Sequence, residues 1–364
     1  MIPGILLITS KIEAYPSGGR AMLSSLNHDV LASLYLDSFF KVELKKKPVR
    51  GMMAIMMAFR GYIDGLDEDI CELIFKIIAS RNVNKVFIDG SNLGQLVKLL
   101  AMRFPKLQII VFFHNVEARF FWGAFKRFKT VHSFSVLAAN YLAEHKAVRH
   151  AHKIVCLSSR DSKLLSALYG RSATHVSAMA LHDRLPQQGG GLPVLNGEKF
   201  LLFVGGSFYA NRDGIAWFVD NVVPRISIKT VVVGKGLEAM KDRLERNGDV
   251  VVVGAVVSIA AWYRDALAVV APIFDGSGMK TKVAEALMHG KKVIGTPEAF
   301  SGYEDVVGKA GWVCSTPQEF AEAIAAAQET KPSFLPQLRS LYEQNYSFDA
   351  ARSRFSEILD TGSS

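Results

Sequence analysis

The sequence has few cysteines, no repeat and no long apolar run, and each absence excludes a class of protein. Its three cysteines, Cys71, Cys156 and Cys314, are far apart, and none belongs to a Cys-x-x-Cys pair. They indicate neither a disulfide framework nor a thiolate zinc site, and a reducing cytoplasm fits them best. The apolar residues 1–11 lack a basic leader and are too short to span a bilayer, so we expect a first buried strand there.

Motifs of several common enzyme classes are also missing. The phosphate loop G-x-x-x-x-G-K-[ST] does not occur, and G-x-G-x-x-G does not follow the first strand. There is no G-x-S-x-G elbow, and no cysteine stands in the context of a catalytic triad. The sequence therefore gives no support to a P-loop enzyme, a dinucleotide-dependent enzyme of the usual kind or a hydrolase with a serine or cysteine nucleophile.

The composition is that of a folded protein with two domains. The chain has 364 residues, of which 49% are hydrophobic and 21% are charged, and this length can bury two cores. Short runs rich in β-branched residues alternate with helical patterns, which predicts parallel sheets covered by helices on both faces. We therefore predict an α/β chain with two tandem doubly wound, Rossmann-like domains, whose ligands bind at the carboxyl ends of the strands in an interdomain cleft.

Positive charge is in excess and unevenly placed. The net charge is +9, and residues 41–61 and 118–134 mix lysine and arginine with methionine and aromatic residues. Such segments can lie on an anionic membrane surface. The alternative is a solvated face beside ordinary core residues. Nucleic acid is not expected as a partner, because no recognised binding motif accompanies the charge.

Residues 275–290, DGSGMKTKVAEALMHG, predict an anion site. Gly276 and Gly278 allow positive φ and a close approach of the backbone to a ligand. The first N–H groups of the following helix have no intrahelical partner, and together with the helix dipole and Lys280 they suit a phosphate or diphosphate.

Glu285 is a candidate ribose ligand on the same helix. It follows Gly278 by two helical turns, which places its carboxylate about 10 Å further along the axis. A carboxylate accepts from both hydroxyls of a ribose diol. The alternative is a capped helix with an exposed glutamate.

The run of residues 269–297 resembles the nucleotide-sugar motif of GT-B glycosyltransferases, particularly the retaining family 4 enzymes. Its order is a strand, Gly-Ser-Gly with a lysine, Glu-Ala-Leu, a glycine and another strand. Residues 15–22 resemble the family's N-domain glycine loop, and residues 112–121 its His-Asn-x-Glu segment. Residues 200–226 resemble the start of the C-domain, and further stretches match in the same order, so that the resemblance covers nearly the whole chain.

The resemblance implies a domain organisation and an activity. It assigns residues 1–183 to an acceptor-binding domain, 184–198 to a linker and 199–345 to a domain that binds a nucleotide sugar, while 346–364 form a helix crossing back to the first domain. The implied reaction moves a hexosyl group, with retention, from a UDP- or GDP-sugar to a saccharide or glycolipid acceptor in cell-surface polysaccharide or lipopolysaccharide synthesis. No metal or other cofactor is implied. The location implied is the cytoplasm or the inner face of the plasma membrane.

The resemblance also assigns site residues. We expect Lys280 and the amides of Ser277, Gly278 and Met279 to stabilise the leaving diphosphate. His114, which ends an apolar strand, would contact the donor sugar or the acceptor; alternatively, it only caps its strand. Glu117 would receive the acceptor's proton or hold His114 in one tautomer. The remaining donor-binding candidates are Gly18, Gly19, Arg20, Gly206, Arg212, Gly234, Lys235, Val256, Thr281 and Glu285. For the first three of these, a plain turn is the alternative.

Two departures from the family pattern matter. Many relatives have a glutamate where this chain has Ser277, and an arginine where it has Gly206 and Ser207. Arg212 or Lys280 must then supply the positive charge. The loss of the first glutamate keeps a noncatalytic relative open as an alternative, and a nucleotide-sugar epimerase or hydrolase on the same fold is another.

Two groups of residues approximate metal-ligand spacing. The triplet Asp67, Glu68 and Asp69 precedes an apolar helical pattern, where acids complement the helix dipole. His145, His150 and His152 lie near a basic helix end. We interpret both groups as ordinary parts of helices.

Overall fold

The computed structural model divides into two units, Met1–Met179 with Ala351–Ser364, and Ala180–Ala350. It describes residues 4–14, 16, 18–45, 51–185, 193–246, 248–329 and 334–360. Residues 186–192, within the predicted linker, lie outside the described part of the chain.

Unit 1 is a parallel sheet with helices between its strands. Its strands are β1 (Gly4–Ser10), β2 (Phe39–Leu44), β3 (Val83–Asp89), β4 (Gln108–Phe113), β5 (Lys153–Cys156) and β6 (His175–Val176). Its helices are α1 (Gly19–Tyr35), α2 (Gly51–Arg60), α3 (Glu68–Ser80), α4 (Gly94–Arg103), α5 (Glu117–Phe128), α6 (Val131–His150) and α7 (Ser159–Tyr169). The strand order is β2-β1-β3-β4-β5-β6, so the direction of winding reverses between β1 and β3.

Unit 2 repeats this architecture. Its strands are β7 (Phe200–Val204), β8 (Lys229–Val233), β9 (Val250–Gly254), β10 (Ala268–Ala271), β11 (Val293–Gly295) and β12 (Gly311–Val313). Its helices are α8 (Tyr209–Asn221), α9 (Lys241–Leu244), α10 (Ala260–Asp265), α11 (Thr281–Met288), α12 (Val307–Ala310), α13 (Pro317–Glu329) and α14 (Pro336–Asn345). The order β12-β11-β10-β7-β8-β9 reverses between β7 and β10. The predicted α/β fold with two doubly wound sheets is confirmed.

The central strands are continuous apolar runs because both faces of each sheet are covered. Ile5, Leu6, Leu7 and Ile8 of β1 are fully buried, and the apolar residues of β3 and β4 are also buried. Strand β2 was not predicted. It pairs with β1 from Ile5↔Phe39 to Ser10↔Leu44, and as an edge strand it carries Lys41 and Glu43. The start of the basic segment 41–61 is therefore part of a sheet.

A last helix, α15 (Phe348–Asp360), supplies the second stretch of unit 1. Phe355 packs against Phe87 and Phe112, with ring centroids 5.4 and 6.0 Å away. Arg354 donates from Nε to Ser177 Oγ over 3.1 Å. These contacts cover the end of the sheet core, which explains why the last helix clusters with the first 179 residues.

The acidic triplet has the role that the sequence indicates. Asp67 is the N-cap of α3, and its carboxylate accepts from Ile70 N over 2.9 Å, while Glu68 and Asp69 occupy the first turn. Among the described residues, no group of three His, Cys, Asp or Glu side chains is placed to hold a metal ion. The three cysteines are buried and free.

Candidate functional site

In unit 2, the candidate site lies where the winding reverses, after β7 and β10. Gly276 and Gly278 have φ values of 141° and 67°, so both adopt the positive φ that the sequence predicted. The N-terminus of α11 follows at Thr281, and its N-cap residue, Lys280, makes no side-chain capping hydrogen bond. Val283 N already donates to Lys280 O over 3.2 Å, and a helix start of this kind attracts an anion.

Lys280 is held against its own loop. Its ammonium donates to Gly278 O over 2.8 Å and pairs with Glu298 Oε1 at 2.9 Å. The Tyr303 hydroxyl donates to Lys280 O over 2.8 Å. The charge of Lys280 is thus already paired with a carboxylate.

Lys282 is a second lysine of this loop and helix, and it was not predicted as a site residue. It is buried, its Nζ donates to Asn211 Oδ1 over 2.9 Å, and it lies 4.5 Å from the centroid of the Phe203 ring. No carboxylate of the described residues forms an ion pair with it. Burial and then the charge of Lys280 lower the pKa of Lys282 to about 7, against the opposing charge of Glu285. A buried cation without a counter-ion is a place for an anionic ligand.

The loop after β7 positions Asn211, the partner of Lys282. Asn211 Nδ2 donates to Gly206 O over 3.1 Å. A Cβ on Gly205 would approach Asn211 Cγ to 2.9 Å, so only glycine fits here without displacement. Gly206 and Arg212 are exposed beside this contact. The basic side chain that Asn211 contacts at this strand end is therefore Lys282, from the neighbouring motif.

Loops after β8 and β9 carry the other predicted donor contacts, Gly234, Lys235 and Val256. Glu238 links the two loops, because its carboxylate accepts from Gly236 N and, over 2.8 Å, from Ala255 N. Gly234 has φ 149° and lies so close to Gly205 O that a Cβ would be only 1.8 Å away. The three loops are thus fixed to one another.

Glu285 is buried rather than exposed, so the alternative of an exposed glutamate on a capped helix is wrong. Its Oε2 accepts from the Tyr263 hydroxyl over 3.0 Å. Tyr263 stacks on His289 at 4.7 Å, which fixes the phenol. Burial raises the pKa of Glu285, while the bond from Tyr263 and the charges of Arg184 and Lys282 oppose this shift.

In unit 1, the carboxyl ends of β1, β3 and β4 bring together a buried polar cluster. Asp89 ends β3 and accepts from Thr9 Oγ1 over 2.8 Å and from Asn27 Nδ2 over 2.9 Å. His114, which follows β4, places Nε2 3.0 Å from Asp89 Oδ1. Burial alone would raise the pKa of Asp89, but the charge and hydrogen bond of His114, with bonds from Ser24 and Asn27, lower it. These contacts therefore favour the ionised form of Asp89.

Glu117 begins α5 and is buried beside Arg20. The Arg20 Nη1 atom lies 3.8 Å from Glu117 Oε1. Burial raises the pKa of Glu117 to about 7; the charge of Arg20 opposes this shift, and the charges of Glu144 and Asp64 add to it. Because this pKa lies near neutral pH, Glu117 can both accept and release a proton there.

Glu144 of α6 caps α5 from outside the helix. Its buried carboxylate accepts from Glu117 N at 2.8 Å, Ala118 N at 2.9 Å, Ser91 Oγ at 2.8 Å and the Tyr169 hydroxyl at 2.8 Å. Two orphan amides of the helix start are thereby satisfied. This cap fixes the backbone that carries Glu117.

Arg20 lies between two carboxylates. Its Nη2 is 3.4 Å from Asp64 Oδ2, which also accepts from Asn92 Nδ2 over 2.6 Å. Just before Arg20, Gly18 has φ 85° and Gly19 is the first residue of α1. In this structure the charge of Arg20 is therefore directed at Glu117 and Asp64.

The structure groups the predicted residues within each unit. Unit 1 brings Arg20, His114 and Glu117 together, and unit 2 places Ser277, Gly278, Met279, Lys280, Thr281 and Glu285 on one loop and helix. Five further polar residues of these clusters were not predicted from the sequence: Asp64, Asp89, Glu144, Asn211 and Lys282. Two of them could have been predicted from the sequence. Asp89 stands at the end of an apolar strand, as His114 does, and Lys282 lies within the motif of residues 275–290.

Comparisons with known proteins match part of unit 2 to a family. Residues 198–329 match the family model described as "Glycosyl transferases group 1". No curated protein matches the chain.

Solved structures show the fold. Sucrose-phosphate synthase from Thermosynechococcus elongatus has a TM-score of 0.71 at 14% identity, over 98% of this chain and 98% of that one. HepE from Anabaena in complex with UDP has a TM-score of 0.70 at 13% identity, over 98% of this chain and 100% of that one. The same protein is also described with UDP-glucose. Trehalose 6-phosphate synthase from Burkholderia multivorans has a TM-score of 0.66 at 12% identity, over 99% of this chain and 96% of that one.

The predicted resemblance is therefore confirmed. The chain has the GT-B fold, and its second unit resembles the group 1 glycosyltransferases.

Proposed function

We propose that the protein is a glycosyltransferase that moves a hexosyl group from a UDP- or GDP-sugar to a saccharide acceptor. One observation carries the proposal: the Lys282 ammonium is buried and forms no ion pair with a carboxylate of the described residues, and it lies in the first turn of α11 beside Lys280. A diphosphate supplies the missing negative charge. Glu285, buried further along the same helix, is the ribose ligand on this proposal.

The donor end of the reaction needs stabilisation of the leaving diphosphate. Negative charge grows on that group as the glycosidic bond breaks, and donors placed in advance stabilise it most strongly in a dry site. Lys282, Lys280 and the amides of Ser277, Gly278 and Met279 supply this charge and these donors. We assign the loops at Gly234, Lys235 and Val256 to the nucleoside.

The acceptor end needs a group that takes the proton of the attacking hydroxyl. Glu117 is buried and has a pKa of about 7, which suits a base at neutral pH. His114 contacts the donor sugar or the acceptor, and Arg20 holds the carboxylate of Glu117 in place. Transfer with retention is the stereochemistry we propose.

A UDP-hexose is the first donor to test, because HepE, which shares the fold, is described with UDP and UDP-glucose. The acceptor we propose is a saccharide or glycolipid of cell-surface polysaccharide or lipopolysaccharide synthesis. The proposed reaction uses the nucleotide sugar as a substrate and calls for no metal or other cofactor.

Two measurements test this function. UDP-, GDP-, TDP- and ADP-sugars are first compared for their effect on the melting temperature, since a ligand of the folded state raises it. Products are then followed with the best donor. A transferase should release nucleoside diphosphate only when a saccharide acceptor is present. Release without acceptor would favour a hydrolase, a changed sugar an epimerase, and binding without turnover a noncatalytic relative.

We further propose that unit 1 binds an anionic membrane surface. Met52, Met53 and Met56 of α2 are between 61% and 72% exposed, and Phe59 follows on the same stripe. Trp122 and Phe128 of α5 and Val131 and Phe134 of α6 are also exposed, next to Lys126, Arg127 and Lys129. Helices α2 and α5 both pack on α6. We call these apolar and basic side chains the α2–α5 surface.

Within the described residues, no helix is both long and apolar enough to cross a bilayer.

Flotation with lipid vesicles measures this association. The full chain should float with vesicles that contain anionic lipid, and salt should weaken the binding. Met56→Glu should lower the bound fraction by about tenfold or more, because it removes apolar contact and adds a repelled charge. Met102→Glu is the matched control, since Met102 is also exposed but lies on α4. Equal loss in both variants, or equal binding to neutral vesicles, would contradict the proposal.

A further inference from the structure

Tyr263 of α10 and Glu285 of α11 meet inside unit 2, although they stand 22 positions apart in the chain. The Tyr263 hydroxyl donates to Glu285 Oε2 over 3.0 Å. The tyrosine is completely buried, and the glutamate is 7% exposed. A hydrogen bond between a hydroxyl and a carboxylate is strong in such a place, because little water competes for either group.

Contacts between the ends of the two helices fix the phenol. Its ring lies parallel to that of His289, the C-cap residue of α11, with centroids 4.7 Å apart. Lys291 follows this cap and donates from Nζ to Arg264 O over 2.8 Å and to Ala266 O over 2.9 Å. The end of α10 is thereby tied to the end of α11, and the hydroxyl is held beside the carboxylate.

Both stacked rings are uncharged at neutral pH. Burial, together with the charge of Glu285, raises the pKa of Tyr263 well above its ordinary value. Burial lowers the pKa of His289 to about 4, although the charge of Asp183 opposes this shift. Tyr263 therefore stays a hydroxyl donor, and His289 adds no charge beside the glutamate.

The hydrogen bond from Tyr263 favours the ionised form of Glu285. Burial raises the pKa of Glu285, and the bond from Tyr263 is the largest of the contacts that lower it. Without this donor, the buried carboxyl group would take up a proton more readily and could then accept fewer hydrogen bonds. Oε1 has no hydrogen-bond donor among the described residues, so it is the oxygen left for a ligand.

We infer that Tyr263 is a positioning residue, whose hydroxyl holds Oε2 of Glu285 so that Oε1 accepts from the ribose hydroxyls of the bound nucleotide. The inference rests on the proposed function, because it takes Glu285 as the ribose ligand. Tyr263 itself touches no part of the nucleotide.

Calorimetry of the full chain with UDP, GDP and their 2′,3′-dideoxy forms tests this role. Each pair shares its base and diphosphate, and only one member has the ribose diol. Tyr263→Phe keeps the stacked ring and removes the hydroxyl. Affinity for the ribose form should fall by about tenfold, the usual effect of losing a hydrogen bond to a charged group, while affinity for the dideoxy form should stay within about twofold.

Tyr342→Phe is the matched control for this substitution. Tyr342 is also completely buried in unit 2, but its hydroxyl donates to Leu181 O over 2.8 Å. This variant should bind all four ligands as the wild type does. Equal loss of both members of a pair in Tyr263→Phe would show a merely structural role, and unchanged affinity for the ribose form would also overturn the inference. If the wild type binds none of the four ligands, the proposed function itself fails.

Proton NMR of the ligand-free chain, labelled with carbon-13 at Cζ of tyrosine, tests the hydrogen bond without any nucleotide. We expect a slowly exchanging, downfield hydroxyl proton that belongs to Tyr263. Glu285→Gln keeps the size of the side chain but removes its charge, and should move this proton upfield. Absence of the proton, or a position unchanged by Glu285→Gln, overturns the inference, and this result holds even if Tyr263→Phe does not fold.

Discussion

Replacing Glu117 by glutamine is expected to lower turnover by about 100- to 10,000-fold, the range that a general base contributes. Glutamine keeps the shape of the side chain but cannot take the proton of the acceptor hydroxyl. Donor affinity should stay within about twofold, since the proposed diphosphate and ribose contacts belong to unit 2. Steady-state kinetics and equilibrium binding of UDP-glucose measure the two effects separately.

The dependence of kcat on pH tests the role of Glu117 further. The carboxylate of Glu117 is the active form, so kcat of the wild type should rise as pH increases through about 7, the value to which burial raises this pKa. The variant should lack that rise. Because the folded-state pKa is raised, the ionised carboxylate costs stability above its ordinary pKa, and Glu117→Gln should melt no lower than the wild type at pH 8. Glu72→Gln, at an exposed site of unit 1, is the control. Near-normal turnover of the Glu117 variant would remove this residue from the reaction.

The second large effect is expected from Lys282→Met. Methionine fills the same space next to Phe203 but has no charge, so binding of UDP-glucose should weaken by about 10- to 100-fold, the usual contribution of a charge-assisted hydrogen bond. The variant should fold, because methionine is similar to lysine in length and removes the cost of burying the ammonium, although Asn211 Oδ1 loses its donor. Isothermal titration calorimetry and the melting temperature check both expectations.

The low pKa of Lys282 adds a pH dependence to donor binding. Only the ammonium form of Lys282 attracts a diphosphate. Because burial lowers the pKa of Lys282 to about 7, the ammonium form is lost as the pH rises through this value. Affinity should therefore fall by up to about tenfold per pH unit above that value, and Lys282→Met should abolish this slope. Lys292→Met is the matched control, since Lys292 lies 4.5 Å from the Trp312 ring in the same unit. If Lys280→Met weakens the binding of UDP-glucose and Lys282→Met does not, the diphosphate binds to Lys280 and not to Lys282.

Local patterns predicted the parts of the fold that depend on neighbouring residues. Apolar β-branched runs marked the buried strands, because strands covered on both faces need no polar alternation. The glycines at 276 and 278 indicated positive φ, and acids before an apolar helical pattern indicated the first turn of α3, where Glu68 and Asp69 lie. Strand β2 was missed because an edge strand with alternating charges, followed by a basic run, resembles a surface segment.

The missed site residues depend on contacts between distant parts of the chain. Glu144 caps a helix that begins 27 residues earlier, and a glutamate within a long helix gives no sign of this in the sequence. Asp89 meets His114 only because their strands are neighbours in the sheet. Lys282 was passed over because a lysine is ordinarily placed on the surface, and only the packing of Phe203 and Asn211 shows that it is buried.

The position of α15 has a practical consequence for dissecting the chain. Since Phe355 packs against Phe87 and Phe112, a fragment that stops near residue 179 would lose this cover of two large aromatic rings, whereas one that starts near residue 180 would carry α15 with its apolar face unsupported. Neither half can be obtained cleanly with a single cut. A circular permutant that joins the last helix to the amino terminus through a flexible linker is the version of unit 1 to express for isolated study.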